Sequence, residues 1–253
     1  MGADLWWKKA AGRLLDLLYP PPPSCGLCGR NIAAGFRERT SVSLCPACAA
    51  KFCFLSGSIC RVCGRLWTEG DVCGDCARRP DTFFVFSRSA VAYNHAMKEY
   101  MARYKYRGDR KLAGMMAGFL PQIWKRYYAG EQIDWITYIP LHAERLRERT
   151  FNQAEEVARL LGSVVGVPVA GLLVRKRATE KQSRRTRYGR LHAMENVFSY
   201  CPEAGWGVPD SSAPCRIVIV DDVYTTGSTL NEAAHALKAG LPGADVYGLT
   251  VAR

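Results

Sequence analysis

Apolar positions recur with regular periods in the last two-thirds of this chain and with little regularity before it. Residues 217–220 read Ile-Val-Ile-Val, a β-branched apolar run that predicts a strand buried on both faces, and hence a parallel sheet. Two carboxylates, Asp221 and Asp222, end that run. A stretch rich in hydroxyls and glycine follows, Thr225, Thr226, Gly227, Ser228 and Thr229, after which Leu230, Ala233, Ala234 and Leu237 fall at helical spacing. Thr229 and Glu232 have the spacing of a capping box at the start of that helix. The polar stretch thus sits between the carboxyl end of a strand and the amino end of a helix. That is the usual ligand position in such a sheet, and free backbone N–H groups there favour phosphate.

The same patterning predicts strands over 83–93, 134–139 and 246–251, with a weaker one over 167–174 because it contains Gly171. Helices are predicted over 95–104, 110–128 and 152–161. Alternating strands and helices imply an α/β fold, a mainly parallel sheet flanked by helices. At the N-terminus, Trp6, Trp7, Ala10, Leu14, Leu15, Leu17 and Leu18 lie mostly opposite Lys8, Lys9, Arg13 and Asp16 on a helical wheel. This is a short amphipathic helix, suited to packing on the rest of the chain or to a membrane surface, and Pro20 to Pro23 stop it.

Between these regions the order comes from cysteine. Cys25 and Cys28 precede Cys45 and Cys48; Cys60 and Cys63 precede Cys73 and Cys76. Each C-x-x-C turn brings two thiolates to one side of a knuckle, and two knuckles make a closed tetrahedral site with no place for water, which describes structural zinc. Both groups open with Cys-x-x-Cys-Gly-Arg and close with Cys-x-x-Cys-Ala, so they read as two tandem ribbons. An interleaved pairing would use the same eight cysteines and stays open at this level. Disulfides and an iron–sulfur cluster fit less well. Cys53, Cys201 and Cys215 have no partner knuckle and read as ordinary thiols. The resulting division is 1–23, helix and proline linker; 24–82, double ribbon; 83–253, α/β domain.

The chain has 253 residues, 48 % of them hydrophobic, enough for a substantial core. It has no run of eighteen apolar residues and no signal-peptide pattern, so no membrane span and a cytoplasmic location are expected. Lysine and arginine number 35 against 23 acids, a net charge of +12 that points to phosphate-bearing partners. The charge is clustered in three patches: 105–111, 140–153 and 175–190. The second begins where a strand stops, as the Asp221-Asp222 loop does, so both should open on one rim of the sheet. The third contains Arg175, Lys176, Arg177, Lys181, Arg184, Arg185, Arg187 and Arg190 against Glu180 alone. It reads as a basic loop that closes over a polyanion or holds nucleic acid through its backbone.

With these residues in place the chain resembles a known family. The Val-Asp-Asp-Val-x-Thr-Thr-Gly-Ser-Thr sequence within 220–229 is similar to the phosphoribosyl pyrophosphate (PRPP) motif of type I phosphoribosyltransferases. The paired ribbons, Ile-Pro-Leu-His at 139–142 with Arg145, and Arg-Thr-Phe-Asn-Gln at 149–153 narrow the resemblance to the ComF/GntX family. Lys105 to Asp109, and Thr179 with Gln182, Arg190 and Asn196, look like the family's remaining signatures. One position departs from it: Thr150 stands where the family usually has glycine, so the loop either differs locally or has a negative φ there.

The resemblance implies a phosphoribosyltransferase-like fold. It also implies that Asp221 and Asp222, where any chemistry would centre, meet the ribose hydroxyls and a Mg²⁺. Thr225, Thr226, Gly227, Ser228 and Thr229 would hold the 5′-phosphate, and Leu141, His142 and Arg145 the pyrophosphate. Two functions follow as expectations. One is a PRPP-binding DNA-uptake factor of natural transformation, acting beside a competence helicase and binding single-stranded DNA, with Tyr104, Tyr106, Trp124, Tyr127 and Tyr128 available for stacking. The other is an active phosphoribosyltransferase of nucleobase or nucleoside metabolism. No nucleobase pocket and no catalytic base can be named from the residues, although His142 is the one titrating candidate near the site.

Overall fold

The computed structural model describes residues 24–25, 27–32, 44–79, 81–107, 111–176, 197–202 and 214–253. The N-terminal amphipathic helix, its prolines, Arg177, Lys181 and the rest of the third basic patch after Lys176 lie outside these residues, as do Gly108–110 and the side chain of Tyr106. Two one-turn helices sit in the ribbons, α1 (Pro46–Ala49) and α2 (Gly74–Ala77). Then come β1 (Ser87–Val91), α3 (His95–Arg107), α4 (Lys111–Ala117), α5 (Leu120–Tyr127), β2 (Trp135–Tyr138), α6 (Ala143–Arg149) and α7 (Gln153–Val165). They are followed by β3 (Leu173–Arg175), β4 (Phe198–Tyr200), β5 (Cys215–Val223), α8 (Ser228–Gly240) and β6 (Ala244–Ala252).

The main sheet has the order β1-β6-β5-β2, and every neighbouring pair in it is parallel. Its centre is the run 217–220, in which all four residues are fully buried. Alternation sends Val218 and Val220 to one face and Ile217 and Ile219 to the other. The first face packs against Tyr104, Met115, Met116, Trp124, Val157 and Leu161 of the helices α3, α4, α5 and α7. The second packs against Leu230, Ala233, Ala234 and Leu237 of α8 and against the antiparallel pair β3 and β4. A strand enclosed by two layers explains why four consecutive apolar residues were needed there.

The two ribbons divide between these layers. Cys25, Cys45 and Cys48 belong to the core of the first face; Cys60, Cys63, Cys73 and Cys76 belong to that of the second. Between them the ribbon chain covers the β1 edge. Leu55 N–H donates to the Ala90 carbonyl at 3.0 Å, Ala92 N–H to Cys53 at 2.7 Å, and Ser87 N–H to Val62 at 2.8 Å. The exposed strand edge is thereby paired rather than left open.

Several boundaries differ from those the sequence predicts, each for a physical reason. The helix expected over 110–128 is two helices, because Pro121 has no N–H to donate and is accommodated in the first turn of α5. The strand expected over 167–174 is interrupted: Val169 makes a single parallel bridge to Ile136, and only 173–175 pairs, antiparallel, with β4. The capping box is absent. The N-cap of α8 is Gly227, without a side-chain cap, and Thr229 lies inside the first turn. At Thr150 the backbone keeps the geometry a glycine would adopt, with φ +65° at the C-cap of α6, so φ is positive and not negative. Threonine in the left-handed region is strained. Thr150→Gly should therefore raise stability by about 1 kcal/mol, a gain of about 2–4 °C in Tm for a chain of this size.

Candidate functional site

Each cysteine group closes on itself in sequence order, Cys25-Cys28-Cys45-Cys48 and Cys60-Cys63-Cys73-Cys76, with all four Sγ atoms of a group within 4.8 Å of one another. The interleaved alternative is thus excluded. Cys28 and Cys45 Sγ are 3.7 Å apart, as are Cys63 and Cys73 Sγ. A tetrahedron with Zn–S bonds of ~2.3 Å has an edge of about 3.8 Å, so the thiolates fit a single zinc ion and are too close to surround a cluster. The repeat extends to the hydrogen bonds. Cys45 N–H donates to Cys25 Sγ and Cys73 N–H to Cys60 Sγ, both at 3.3 Å, while Cys25 and Cys60 N–H reach the Arg30 and Arg65 carbonyls at 2.7 and 2.8 Å. Cys53 and Cys201 are exposed and Cys215 is buried.

The second site opens at the carboxyl ends of β2 and β5. A cleft of about 440 Å³ is lined by Leu141, Arg145, Arg175, Asp221, Asp222, Thr225 and Thr229, all seven of them predicted, and also by Tyr93, Lys105, Arg149, Asn152 and Gln153. Lys105, on α3, forms an ion pair with Asp222. Burial works against its ammonium, but Asp222 and then Asp221 outweigh it, and its pKa is raised. Arg149 donates to Gln153 Oε1 at 2.9 Å. Asn152 donates to the Ile139 carbonyl at 3.1 Å and caps α7 by accepting from Ala154 N–H, which fixes the second basic patch to the end of β2.

Thr226, Gly227 and Ser228 form the loop between the two threonines that line the cleft. Thr226 Oγ1 and Ser228 Oγ are hydrogen-bonded at 2.7 Å, and Gly227 has φ +79°. His142 is placed differently from its expected role: its Nδ1 accepts from Glu144 N–H as the N-cap of α6, and it is not among the residues lining the cleft. Lys176 follows β3 and is exposed, its backbone N–H bonded to the Val197 carbonyl. Tyr104, Trp124 and Tyr128 are buried in the helical layer, so they are core residues and not a stacking surface.

Competence protein ComFC of Bacillus subtilis is 32 % identical over 223 residues, covering 86 % of this chain and 87 % of its own. The chain belongs to the ComF family. Competence protein F of Haemophilus influenzae is 27 % identical to this ComF chain over 213 residues, covering 81 % and 89 % of the two. Residues 14–77 match the double zinc ribbon domain. Among solved structures, adenine phosphoribosyltransferase from Leishmania tarentolae superposes on 59 % of this chain and 74 % of its own at 13 % identity, with a TM-score of 0.34.

Of the residues the ComF cleft adds to the predicted set, Lys105, Arg149, Asn152 and Gln153 stood within recognised signatures but had no assigned role. Tyr93 gave no signal beyond the end of a strand. Asp221 has a strongly raised pKa. Burial, and then the charge of Asp222, push its carboxyl from 3.8 up to about 7, against the opposing pull of the Asp222 N–H, Lys105 and Arg175. The folded chain therefore holds a proton that the unfolded chain has already released, so this contribution to stability falls as pH rises from about 4 to about 7. Asp221→Asn should accordingly stabilise the ligand-free protein more at pH 8 than at pH 5. The expected Tm difference at pH 8 is at least the ~2–4 °C that 1 kcal/mol produces, readable by thermal melts across that range.

Proposed function

We propose that this cleft binds PRPP with Mg²⁺ and that the protein uses it in DNA uptake. The observation that carries this reading is the convergence of Asp221 and Asp222, of Thr225 and Thr229 at the two ends of the hydroxyl-rich loop, and of the four cations Lys105, Arg145, Arg149 and Arg175 on one cleft. The two carboxylates are hard oxygen acceptors of the kind that hold ribose hydroxyls and, directly or through water, Mg²⁺. The N-cap of α8, Gly227, supplies no side-chain cap, and of the first-turn N–H groups Ser228 reaches Thr226 Oγ1 at 3.4 Å, an arrangement suited to a 5′-phosphate. Arg145 and Arg149, on the far side, are suited to pyrophosphate oxygens. Lys105 holds Asp222 when no ligand is bound, so binding exchanges one cation partner for another.

The link to DNA uptake rests on the family, whose Bacillus subtilis and Haemophilus influenzae members carry the word competence in their names. Single-stranded DNA as a partner is supported by the net charge of +12, and a competence helicase by the family resemblance. No helix among the described residues is long and apolar enough to cross a membrane. We place the protein in the cytoplasm, beside incoming strand.

The test is thermal stabilisation by PRPP with Mg²⁺. At a hundredfold excess over Kd the expected gain is about 2.7 kcal/mol, or about 5–10 °C. Asp221→Asn with Asp222→Asn should abolish the gain while the chain stays folded. No shift in the unaltered protein would refute the PRPP reading. A screen of nucleobases for pyrophosphate release would then separate binding from transfer.

A further inference from the structure

A second, smaller cleft of about 340 Å³ adjoins the first, within the usual size range of small-molecule sites. It lies where the second ribbon meets the carboxyl ends of the sheet strands, and Tyr93, Val223 and Thr225 line both clefts. Ribbon residues Leu55, Arg65 and Leu66 form one wall and Arg253 another. Two large side chains stand open to solvent there, Leu66 at 50 % and Tyr93 at 40 % exposure. Neither is required by the core.

The walls are not adaptable. Arg65 is held by Asp75 at 2.8 Å. The Arg253 guanidinium lies over the Tyr224 ring at 4.6 Å and donates to the Cys63 carbonyl. Its backbone ties down the chain entering the cleft, accepting from Tyr93 N–H at 2.6 Å and donating to the Val91 carbonyl at 3.0 Å. The cleft therefore presents an aromatic face, an aliphatic face and two fixed guanidinium groups, with no acidic side chain in its lining. That chemistry selects a flat, apolar-faced ring whose edge carries acceptor atoms. Its opening at Thr225 places such a ring next to whatever the larger cleft holds.

We propose that this second cleft is a nucleobase subsite, with Tyr93 as the stacking face and Leu66 of the second ribbon as the opposing wall. It explains why an aromatic is exposed at this rim when Tyr100, Tyr104, Trp124 and Tyr128 of the helical layer are buried. It also gives the second ribbon a contact with ligand in addition to its structural role. The orientation of the ring towards Thr225 rests on the PRPP reading of the larger cleft; the subsite itself does not. Free nucleobase and a base within a single strand present the same ring, and they are separated by the probe.

The experiment is photocrosslinking of the full zinc-loaded chain, with and without PRPP and Mg²⁺, to free 4-thiouracil and to an oligothymidylate of about twelve nucleotides carrying one 4-thiothymidine. Adducts are expected on Tyr93 or on the ribbon segment 55–66. Leu66→Glu should cut their yield about tenfold or more, as expected for losing one wall of a stacked base, while leaving the PRPP thermal shift intact. Adduct with the free base identifies a small acceptor, and adduct with the oligomer alone identifies a strand. Adducts mapping elsewhere, none with either probe, or a yield unchanged in Leu66→Glu would overturn the subsite. Adducts on Tyr93 without any PRPP thermal shift would overturn the PRPP reading and leave the subsite standing.

Discussion

Gly227→Ala should abolish stabilisation by PRPP and lower the Tm of the ligand-free protein by roughly 5–15 °C. Gly227 occupies the left-handed region at φ +79°, where a side chain costs about 1–2 kcal/mol. A Cβ there would also lie 2.1 Å from the Tyr224 hydroxyl and 2.9 Å from Arg79 Nη2. Neither neighbour can withdraw easily. Tyr224 is buried, with the Arg253 guanidinium over its ring, and burial, only partly offset by Arg79, pushes its phenol up to about 12. Arg79 is fixed by its bond to the Thr226 carbonyl at 2.5 Å. Overpacking of this kind adds about 1–3 kcal/mol. The displaced element is the loop proposed to hold the 5′-phosphate, so ligand binding and stability should fall together. A protein that keeps both after this substitution would show that the loop's tight backbone turn is dispensable.

The same loop marks the limit of what the residues alone convey. The strand 217–220 was legible because burial on both faces leaves an uninterrupted apolar run, and the metal groups because tetrahedral ligation demands the knuckle spacing. Both are local constraints written in consecutive residues. The start of α8 was misread at Thr229 because a capping box and a phosphate-type turn use the same hydroxyl residues, and only the φ of Gly227 separates them. His142 has residue type and position suited to an anion, and nothing in the residues announces that its Nδ1 also caps a helix. Lys105 stood out as basic, yet nothing near it in sequence announces Asp222, its partner 117 positions later. Tyr93 is the clearest case. Tyr104 and Trp124, which composition offered equally for stacking or for the core, are core, while Tyr93, just past β1, is exposed, because exposure is set by which layer covers a position rather than by composition.

Loss of metal from the second ribbon should abolish ligand binding, whereas loss from the first should not. Both ions are needed for folded ribbons, since structural zinc supplies about 10–16 kcal/mol in comparable small domains. Their connections differ. From the second ribbon Arg79, three residues past Cys76, donates to the Thr226 carbonyl of the loop proposed to hold the 5′-phosphate. The Cys63 carbonyl accepts from Arg253, which in turn stacks on Tyr224 beneath Gly227. The segment leaving the ribbon then bonds to α8, with Phe83 N–H donating to Asn231 Oδ1 at 2.9 Å and Asn231 donating to the Asp81 carbonyl at 3.1 Å. The first ribbon packs on the opposite face, where Phe52 meets Tyr100 and Phe119, and it reaches α3 through Asn94, which donates to the Lys51 carbonyl and caps that helix. Cys73→Ser should therefore reduce zinc from two ions to one per chain and eliminate the thermal shift by PRPP. Cys28→Ser should reduce zinc equally and lower the Tm, yet retain most of that shift. Equal loss of binding in both variants would mean that the ribbons act only through global stability. Equal retention would disconnect the second ribbon from the loop and remove Arg79 and Arg253 as its supports.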